Sequence, residues 1–463
     1  MENIAAVVLA AGEGTRMHSN RPKVLQEVTF KPMIDWVLDA VEKAEIRKIC
    51  VVAGFAHEQL EAHLNGRCEI AIQKEQLGTG HAVKSATDFL REKAPQDTIV
   101  LCGDAPFISA DDLLGACETH RAQGNAVTIL SARVHYPHGY GRVLRDGTQT
   151  VQRIVEEKDA DDMQRRINEV NSGAYCFRTS LLLEALDALQ NTNVQKEYYL
   201  TDVVEILTEN GKKAGTYLLA DPTDMSGAND RRQLATLNTL AKKRILEKLY
   251  HIGVEIVDEV GVVIGPEVRI GRDTRILPGT ILRGKTTIGS GCVIGPNTLL
   301  EYCTVEDDAV INASQARQVE IGAGVTIGPF CNLRPGTKLA DKVHVGDFVE
   351  VKNSIVGQGT KLPHLSYIGD ADVGAGTNFG CGCVTANYDG KKKYRTKVGD
   401  HAFIGCHTNL IAPVTVGDNA FTAAGSTVTK PVPDGALAVE RAKQTNLDGW
   451  VRRKHPERFT DEK

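Results

Sequence analysis

Nothing in this sequence is apolar for long enough to cross a bilayer, no C-x-x-C pair occurs among its 11 cysteines, and no long basic block interrupts it. The first absence removes the membrane-spanning class. The opening MENIAAVVLAAGEGTRM has an apolar run of about nine residues before Gly12 and no basic flank, so a secretory leader is not expected and the cytoplasm is. Without paired cysteines at zinc or redox spacing, the odd set reads as small apolar residues in a reducing compartment, Cys381-x-Cys383 included. The 54 basic and 59 acidic residues leave a formal charge of −5. A nucleic-acid partner is therefore not expected, and any phosphate-bearing ligand must be held by a few placed Lys and Arg side chains.

What is present falls into two textures over 463 residues, enough for two or three domains. Up to about residue 226, strand-like runs (Ile4–Ala10, Lys48–Ala53, Thr98–Leu101, Ala126–Ala132) alternate with helical patterns (Met33–Ala44, Gly80–Lys93, Asp111–Gln123). That alternation predicts an α/β, Rossmann-like domain with a mainly parallel sheet over 1–228. Residues 229–251 lack Gly and Pro until the run has ended, carry Leu234, Leu237, Leu240, Ile245 and Leu249, and predict a linker helix.

From Gly253 the period changes to six. Aliphatic residues recur at Ile264, Ile270, Ile276, Leu282, Ile288, Ile294 and Leu300, with Gly265, Gly271, Gly289 and Gly295 following. The phase slips near 301–314 and resumes through Ile321, Ile327, Leu333, Leu339, Val345 and Val351, then again through Val398, Ile404, Leu410 and Val416. A strict period of six predicts a parallel β-helix over 252–440, one aliphatic residue per flat side and Gly or Asn at the corners. At three sides per coil the region gives roughly ten coils about 4.8 Å apart. Residues 441–463 are a C-terminal tail.

The loop LAAGEGTRM follows a strand and precedes a helix, so its backbone N–H groups can cradle phosphate. It is neither a dinucleotide fingerprint, since Met17 stands where the third glycine would fall, nor a Walker A loop. Arg16 and Pro22-Lys23 put two cations where phosphates would sit.

LAAGEGTRM with PKVL resembles the signature of the sugar-phosphate nucleotidylyltransferases. Further motifs follow in order: QKEQLGTGHA, CGDAP, GYGRV, IVEEKD, EVNSGAY and YYLTD, then FCNLRPGT, VGDFVEVK, HLSYIGD, TANYDG and APVTVG. Together they resemble, over nearly the whole chain, the bacterial bifunctional family joining an N-acetylglucosamine-1-phosphate uridylyltransferase to a glucosamine-1-phosphate N-acetyltransferase. The resemblance implies a left-handed β-helix, a homotrimer, and Mg²⁺, UTP and acetyl-CoA as cofactor and co-substrates. It implies that Asp104 and Asn229 hold Mg²⁺, a hard cation suited to oxygen ligands, while Arg16 and Lys23 neutralise the triphosphate. Leu9, Ala10, Ala11 and Gly12 would border the nucleotide, Gln73, Gly78 and Thr79 its base, and Gly141, Glu156 and Asn171 the sugar. In the second half it implies His364 as the base that an amine attacking a thioester needs, with Glu350 orienting it. Arg334, Lys352, Tyr367 and Asn378 would bind glucosamine phosphate; Cys381, Asn387, Tyr388, Cys406, Ala424 and Arg441 would meet the sugar and acetyl-CoA. Positions 381 and 406, where that family often carries Ala and Ser, hold cysteine here.

Two other readings share some of these motifs. One is a single-activity nucleotidylyltransferase whose β-helix only regulates or oligomerises; the length of the helix and the HLSY and NYDG loops weigh against it. The other is a hexapeptide acyltransferase with a degenerate first domain, against which stand Gly12, Arg16, Lys23 and Asp104.

Overall fold

A computed structural model of the protein describes residues 3–459, which divide into two compact units between Lys243 and Arg244. Among these residues no helix is long and apolar enough to cross a membrane.

The first unit is built on a nine-stranded sheet. Within it the strand Ile4–Ala10 is parallel to Lys48–Ala53 on one side and to Asp97–Cys102 on the other. Period-two alternation sends Ile4, Ala6, Val8 and Ala10 into one apolar cluster and Ala5, Val7 and Ala11 into another, so both faces are covered. The expected strands and first helix are present. The expected helix over 80–93 is two, Thr79–Ser85 and Thr87–Lys93, parted at Ala86. A long strand, Glu169–Arg178, lies antiparallel between Asp97–Cys102 and Val127–Arg133, and was not foreseen. It bulges between Asn171 and Ala174, and the Asn-Ser-Gly that makes the bulge also hides the strand's apolar alternation.

The linker helix spans Arg231–His251. Leu234, Leu237 and Ala241 pack with Met17, Met33 and Phe107 of the first unit, whereas Leu246 and Leu249 join the core of the second.

That second core is a parallel β-helix whose strands form three sheets of eleven, ten and nine members among the described residues. Each aliphatic residue of the hexad series is buried in one continuous column-built core. The phase slip comes from corners one residue short: five residues, not six, separate Leu300 from Val305, Ile311 from Ala316 and Ala316 from Ile321. Each short corner turns on one left-handed residue, Tyr302 (φ 52°), Ala313 (φ 43°) and Gln318 (φ 51°). Two more steps of five, Val351 to Val356 and Ile368 to Val373, turn on Asn353 (φ 45°) and Asp370 (φ 49°), and after Thr385 an inserted hairpin closes by a Tyr388–Lys393 bridge. Phe379 therefore pairs with Ile404, 25 residues on, where Ile264 pairs with Leu282, 18 residues on.

Buried Ser and Thr hydroxyls complete the corners. Thr274 Oγ1 donates to the Gly289 carbonyl at 2.7 Å and accepts from the Cys292 amide at 3.1 Å. Thr360 repeats this with Gly374 and Thr377 at 2.6 and 3.1 Å. A corner amide or carbonyl with no partner in so thin a core would cost about 1–3 kcal/mol.

The last turns of the linker helix thus belong to the β-helix core. A C-terminal fragment starting at Arg244 is expected to melt well above one starting at 252. Leu246→Ala and Leu249→Ala should each cost roughly 2–5 kcal/mol in the longer fragment. Calorimetry giving equal melting temperatures for the two fragments would refute this.

Candidate active sites

The first site forms at the carboxyl edge of the parallel strands, where α/β folds bind ligands. The glycine-rich loop leaves the strand Ile4–Ala10 and enters short 3₁₀ turns at Thr15–Met17 and Lys23–Leu25. Gly14 is left-handed (φ 63°), and a Cβ there would stand 2.8 Å from Cβ of Lys23, so glycine lets the lysine pass beneath the loop. Lys23 Nζ donates to Asp104 Oδ2 and, at 3.1 Å, to Asn229 Oδ1. Three of the expected residues, 81 and 206 positions apart in sequence, thus meet on one cation. Arg16 is exposed on the same loop, in the turn Thr15–Met17.

Leu9 anchors this edge through its carbonyl, which accepts from the Gly103 amide at 2.9 Å, and the Ala11 carbonyl accepts from Phe55 at 3.3 Å. Ala10 is buried in the sheet, and Gly12 is exposed on the loop. Buried Gln73 donates to the Gly78 carbonyl at 3.1 Å. Gly78 (φ 110°) touches Tyr198, whose carbonyl would lie 2.6 Å from any Cβ added there. Thr79 Oγ1 accepts from the Leu200 amide at 3.0 Å. Gly141, Glu156 and Asn171 also converge. The Gly141 carbonyl accepts from the Asn171 amide at 2.9 Å, and a Cβ on Gly141 would sit 3.4 Å from both Glu156 oxygens. Asn171 Nδ2 donates to the Tyr175 hydroxyl at 2.7 Å.

One residue absent from the sequence reading braces this site. Arg231 donates through Nε to the Met17 carbonyl (3.1 Å) and through a terminal nitrogen to buried Gln26 (2.9 Å), tying the loop to the segment that carries Asn229. Only its position two residues after Asn229 could have drawn notice.

The second site runs along the corner between the eleven- and ten-stranded sheets. Asp347 and His364 are paired in the ladder. The next coils continue the column: the His364 carbonyl accepts from Gly382 at 3.3 Å, Cys381 from His407 at 2.7 Å, and Cys406 from Gly425 at 2.8 Å. His364, Cys381, Cys406 and Ala424 therefore occupy equivalent corner positions on successive coils. Arg441 joins them, donating to the Ala424 carbonyl at 2.9 Å.

Around the corner, Glu350 pairs with Tyr367 in the ten-stranded sheet. Asn387 Nδ2 donates to Asp370 and lies 3.4 Å from the Tyr367 hydroxyl. Lys352 Nζ is 3.9 Å from Asp370, and Tyr388 is exposed at the bridge that closes the hairpin.

One assignment needs correcting. Glu350 does not orient His364: it accepts from Arg334 at 2.8 Å, and the carboxylate on the imidazole is Asp347, Oδ1 to Nδ1 at 2.8 Å. The corner separates the two columns, which adjacency in VGDFVEVK conceals. Asn378 belongs to neither group; it lies in the eleven-stranded sheet, paired with Lys361 and Phe403.

Comparison with known proteins places both halves. A family model described as nucleotidyl transferase matches residues 5–224, and one described as bacterial transferase hexapeptide (six repeats) matches 267–302 and 395–430. The chain is 49% identical to the bifunctional protein GlmU of Geobacillus sp. (strain WCH70), covering 97% of each. It is 47% identical to that of Carboxydothermus hydrogenoformans, covering 96% of this chain and 99% of the relative. Against the Clostridium novyi protein of the same name the figures are 46%, 97% and 98%.

The first site also carries crowded acidic charge. Burial pushes the Glu156 carboxyl up, and burial with the negative charges of Glu205, Glu156 and Asp159 pushes Asp202 up to about 6. Asp202 opens the helix Asp202–Glu209, where a negative charge is ordinarily favoured. Because its folded value lies above the ordinary one, the fold holds this proton more tightly than the unfolded chain does. Stability from this group therefore falls as pH rises from about 3.8 to about 6. Asp202→Asn is expected to raise the melting temperature at pH 7 and to leave it nearly unchanged below pH 4. An equal shift at both pH values, measured by calorimetry, would contradict this origin.

Proposed function

Because this chain belongs to the family of the bifunctional GlmU proteins, we propose that it carries out two consecutive transfers. Its second unit acetylates glucosamine-1-phosphate with acetyl-CoA. Its first unit then transfers UMP from UTP to N-acetylglucosamine-1-phosphate, with pyrophosphate leaving. The UDP-N-acetylglucosamine so formed feeds peptidoglycan and other cell-envelope polysaccharides, and both reactions belong to the cytoplasm. The observation that carries the reading is the presence, in two separate cores of one chain, of the Lys23–Asp104–Asn229 cluster and the Asp347–His364 pair. A β-helix that merely regulated a nucleotidylyltransferase would have no use for the second.

In uridylyl transfer a sugar-phosphate oxygen attacks the α-phosphorus in line as the bond to pyrophosphate breaks, so positioning and charge neutralisation do most of the work. Leu9 and Ala10 border the nucleotide at the strand end, the loop amides after them receive phosphate oxygens, and Arg16 and Lys23 offset their charge. Gln73, Gly78 and Thr79 hold the uracil; Gly141, Glu156 and Asn171 hold the sugar and its acetamido group. Asp104 and Asn229 would hold Mg²⁺, and both already direct oxygens at one cation, the Lys23 ammonium. Few protein ligands suit an ion that completes its shell with water and substrate phosphates. When bound, Mg²⁺ supplies further neutralisation of phosphate charge.

In acetyl transfer the amine nitrogen attacks the thioester carbonyl, His364 takes the amine proton, and CoA departs as its thiol. Arg334, Lys352 and Tyr367 bind the sugar phosphate, with Asn387 and Tyr388 at the sugar and acetyl group. Cys381, Cys406, Ala424 and Arg441 line the acetyl-CoA path. Asn378 lies on another sheet from Arg334, Lys352 and Tyr367. It would serve the site of a neighbouring subunit, which a homotrimer with shared sites permits. Exposed apolar residues support such packing: Phe330 stacks on Phe348 at 5.3 Å and Phe403 on Phe421 at 5.2 Å, all four exposed. Light scattering at micromolar concentration should give three chains per particle; an active monomer would rule the trimer out.

Two sites should fail independently. Asp104→Asn is expected to cut uridylyl transfer by about 10²-fold or more, the scale of losing one charge-stabilising group, and to spare acetyl transfer. His364→Ala should lower acetyl-transfer kcat by roughly 10²–10⁴-fold and leave uridylyl transfer from ready-made N-acetylglucosamine-1-phosphate untouched. A parent without acetyl transfer, together with an altered uridylyl rate in His364→Ala, would replace this reading with a regulatory β-helix.

A further inference from the structure

The hydrogen bond on His364 fixes more than its position. Asp347 and His364 face each other across consecutive coils, with Oδ1 and Nδ1 2.8 Å apart. An ionised carboxylate can only accept, so the bond requires the hydrogen on Nδ1 and leaves the lone pair on Nε2. Asp347 is held ionised in turn, its carboxyl pulled below the ordinary range first by this bond and further by a backbone hydrogen bond.

The neighbouring groups do not compete for that carboxylate. Glu350 is engaged by Arg334 at 2.8 Å. The backbone locks both partners in place: the Leu365 amide donates to the Asp347 carbonyl at 3.0 Å, and Ser366 Oγ donates to the His364 carbonyl at 2.8 Å. Both side chains remain partly open to solvent, 42% for Asp347 and 56% for His364, so the free face of the imidazole is reachable from outside.

We propose that Asp347 is the positioning residue of acetyl transfer: it holds His364 in the tautomer whose Nε2 accepts a proton, and its charge steadies the imidazolium that results. The proposal rests on His364 being the base. As the amine nitrogen bonds to the acetyl carbon, the C–S bond breaks. The proton leaving nitrogen passes to Nε2 and from there to the departing thiolate, so the imidazole is regenerated neutral with its Nδ1 hydrogen still on Asp347.

The test uses the full chain as Asp347→Ala, Asp347→Asn and His364→Ala, assayed for both transfers. Asp347→Ala is expected to lose on the order of 10–100-fold in acetyl-transfer kcat, a share of the 10²–10⁴ a general base contributes, with KM for either substrate within about twofold. Asp347→Asn keeps the size and removes the charge, guarding against a folding defect; it should lose about tenfold. Spectra of ¹⁵N-histidine protein, with the His364 signals identified by their loss in His364→Ala, should show Nδ1 protonated in the parent and hydrogen moved to Nε2 in Asp347→Ala. Full acetyl-transfer rate in both Asp347 variants overturns the proposal, as does a slowed variant whose nitrogen shifts match the parent's. Full rate in His364→Ala overturns instead the assignment of the base.

Discussion

Parallel stacking makes a side chain's neighbours across the coils a matter of chain offset. A residue at a corner meets whatever stands one coil before and one coil after, here 17 positions back for His364 and Asp347. The aliphatic core, the hydroxyls that satisfy corner amides and the column from Asp347 to Ala424 are all expressions of that one rule. A slip of one residue within a flat side would turn its aliphatic anchor outward and move every later column. The short corners avoid this by dropping their residue at the turn, where a single left-handed backbone reverses direction.

The first unit meets a different constraint with the same outcome. Its strands end together at one sheet edge, so loops distant in sequence deliver Lys23, Asp104 and Asn229 to one point. There the lysine offsets the charge of the Asp104 carboxylate. The brace from Arg231 to Met17 and Gln26 keeps the loop within reach of that point. In both units a charged group is effective because a neighbour holds it.

Patterns that repeat were legible in the sequence. The hexads named the β-helix because an aliphatic residue every six positions has one structural outcome, and the expected residues Lys23, Asp104 and Asn229 do come together. What escaped notice was non-local. The strand Glu169–Arg178 was masked by the polar bulge at its middle. Asp347 was passed over for Glu350 because three residues of sequence straddle a corner. The resemblance named His364; only the ladder register could name the group behind it.

The hairpin beyond Thr385 lengthens one coil without altering its pitch: Val373 still meets Val398, and Phe379 still meets Ile404. The excursion leaves and re-enters at a corner, so the rungs above inherit their alignment as though nothing had been added. The corner is a port in an otherwise rigid ruler. Through it the fold acquires a lysine-rich tongue, Lys391 to Lys393, beside its second site, while the column from His364 to Ala424 keeps its register. Sequence can therefore change at the hairpin while the ladder keeps every rung in register.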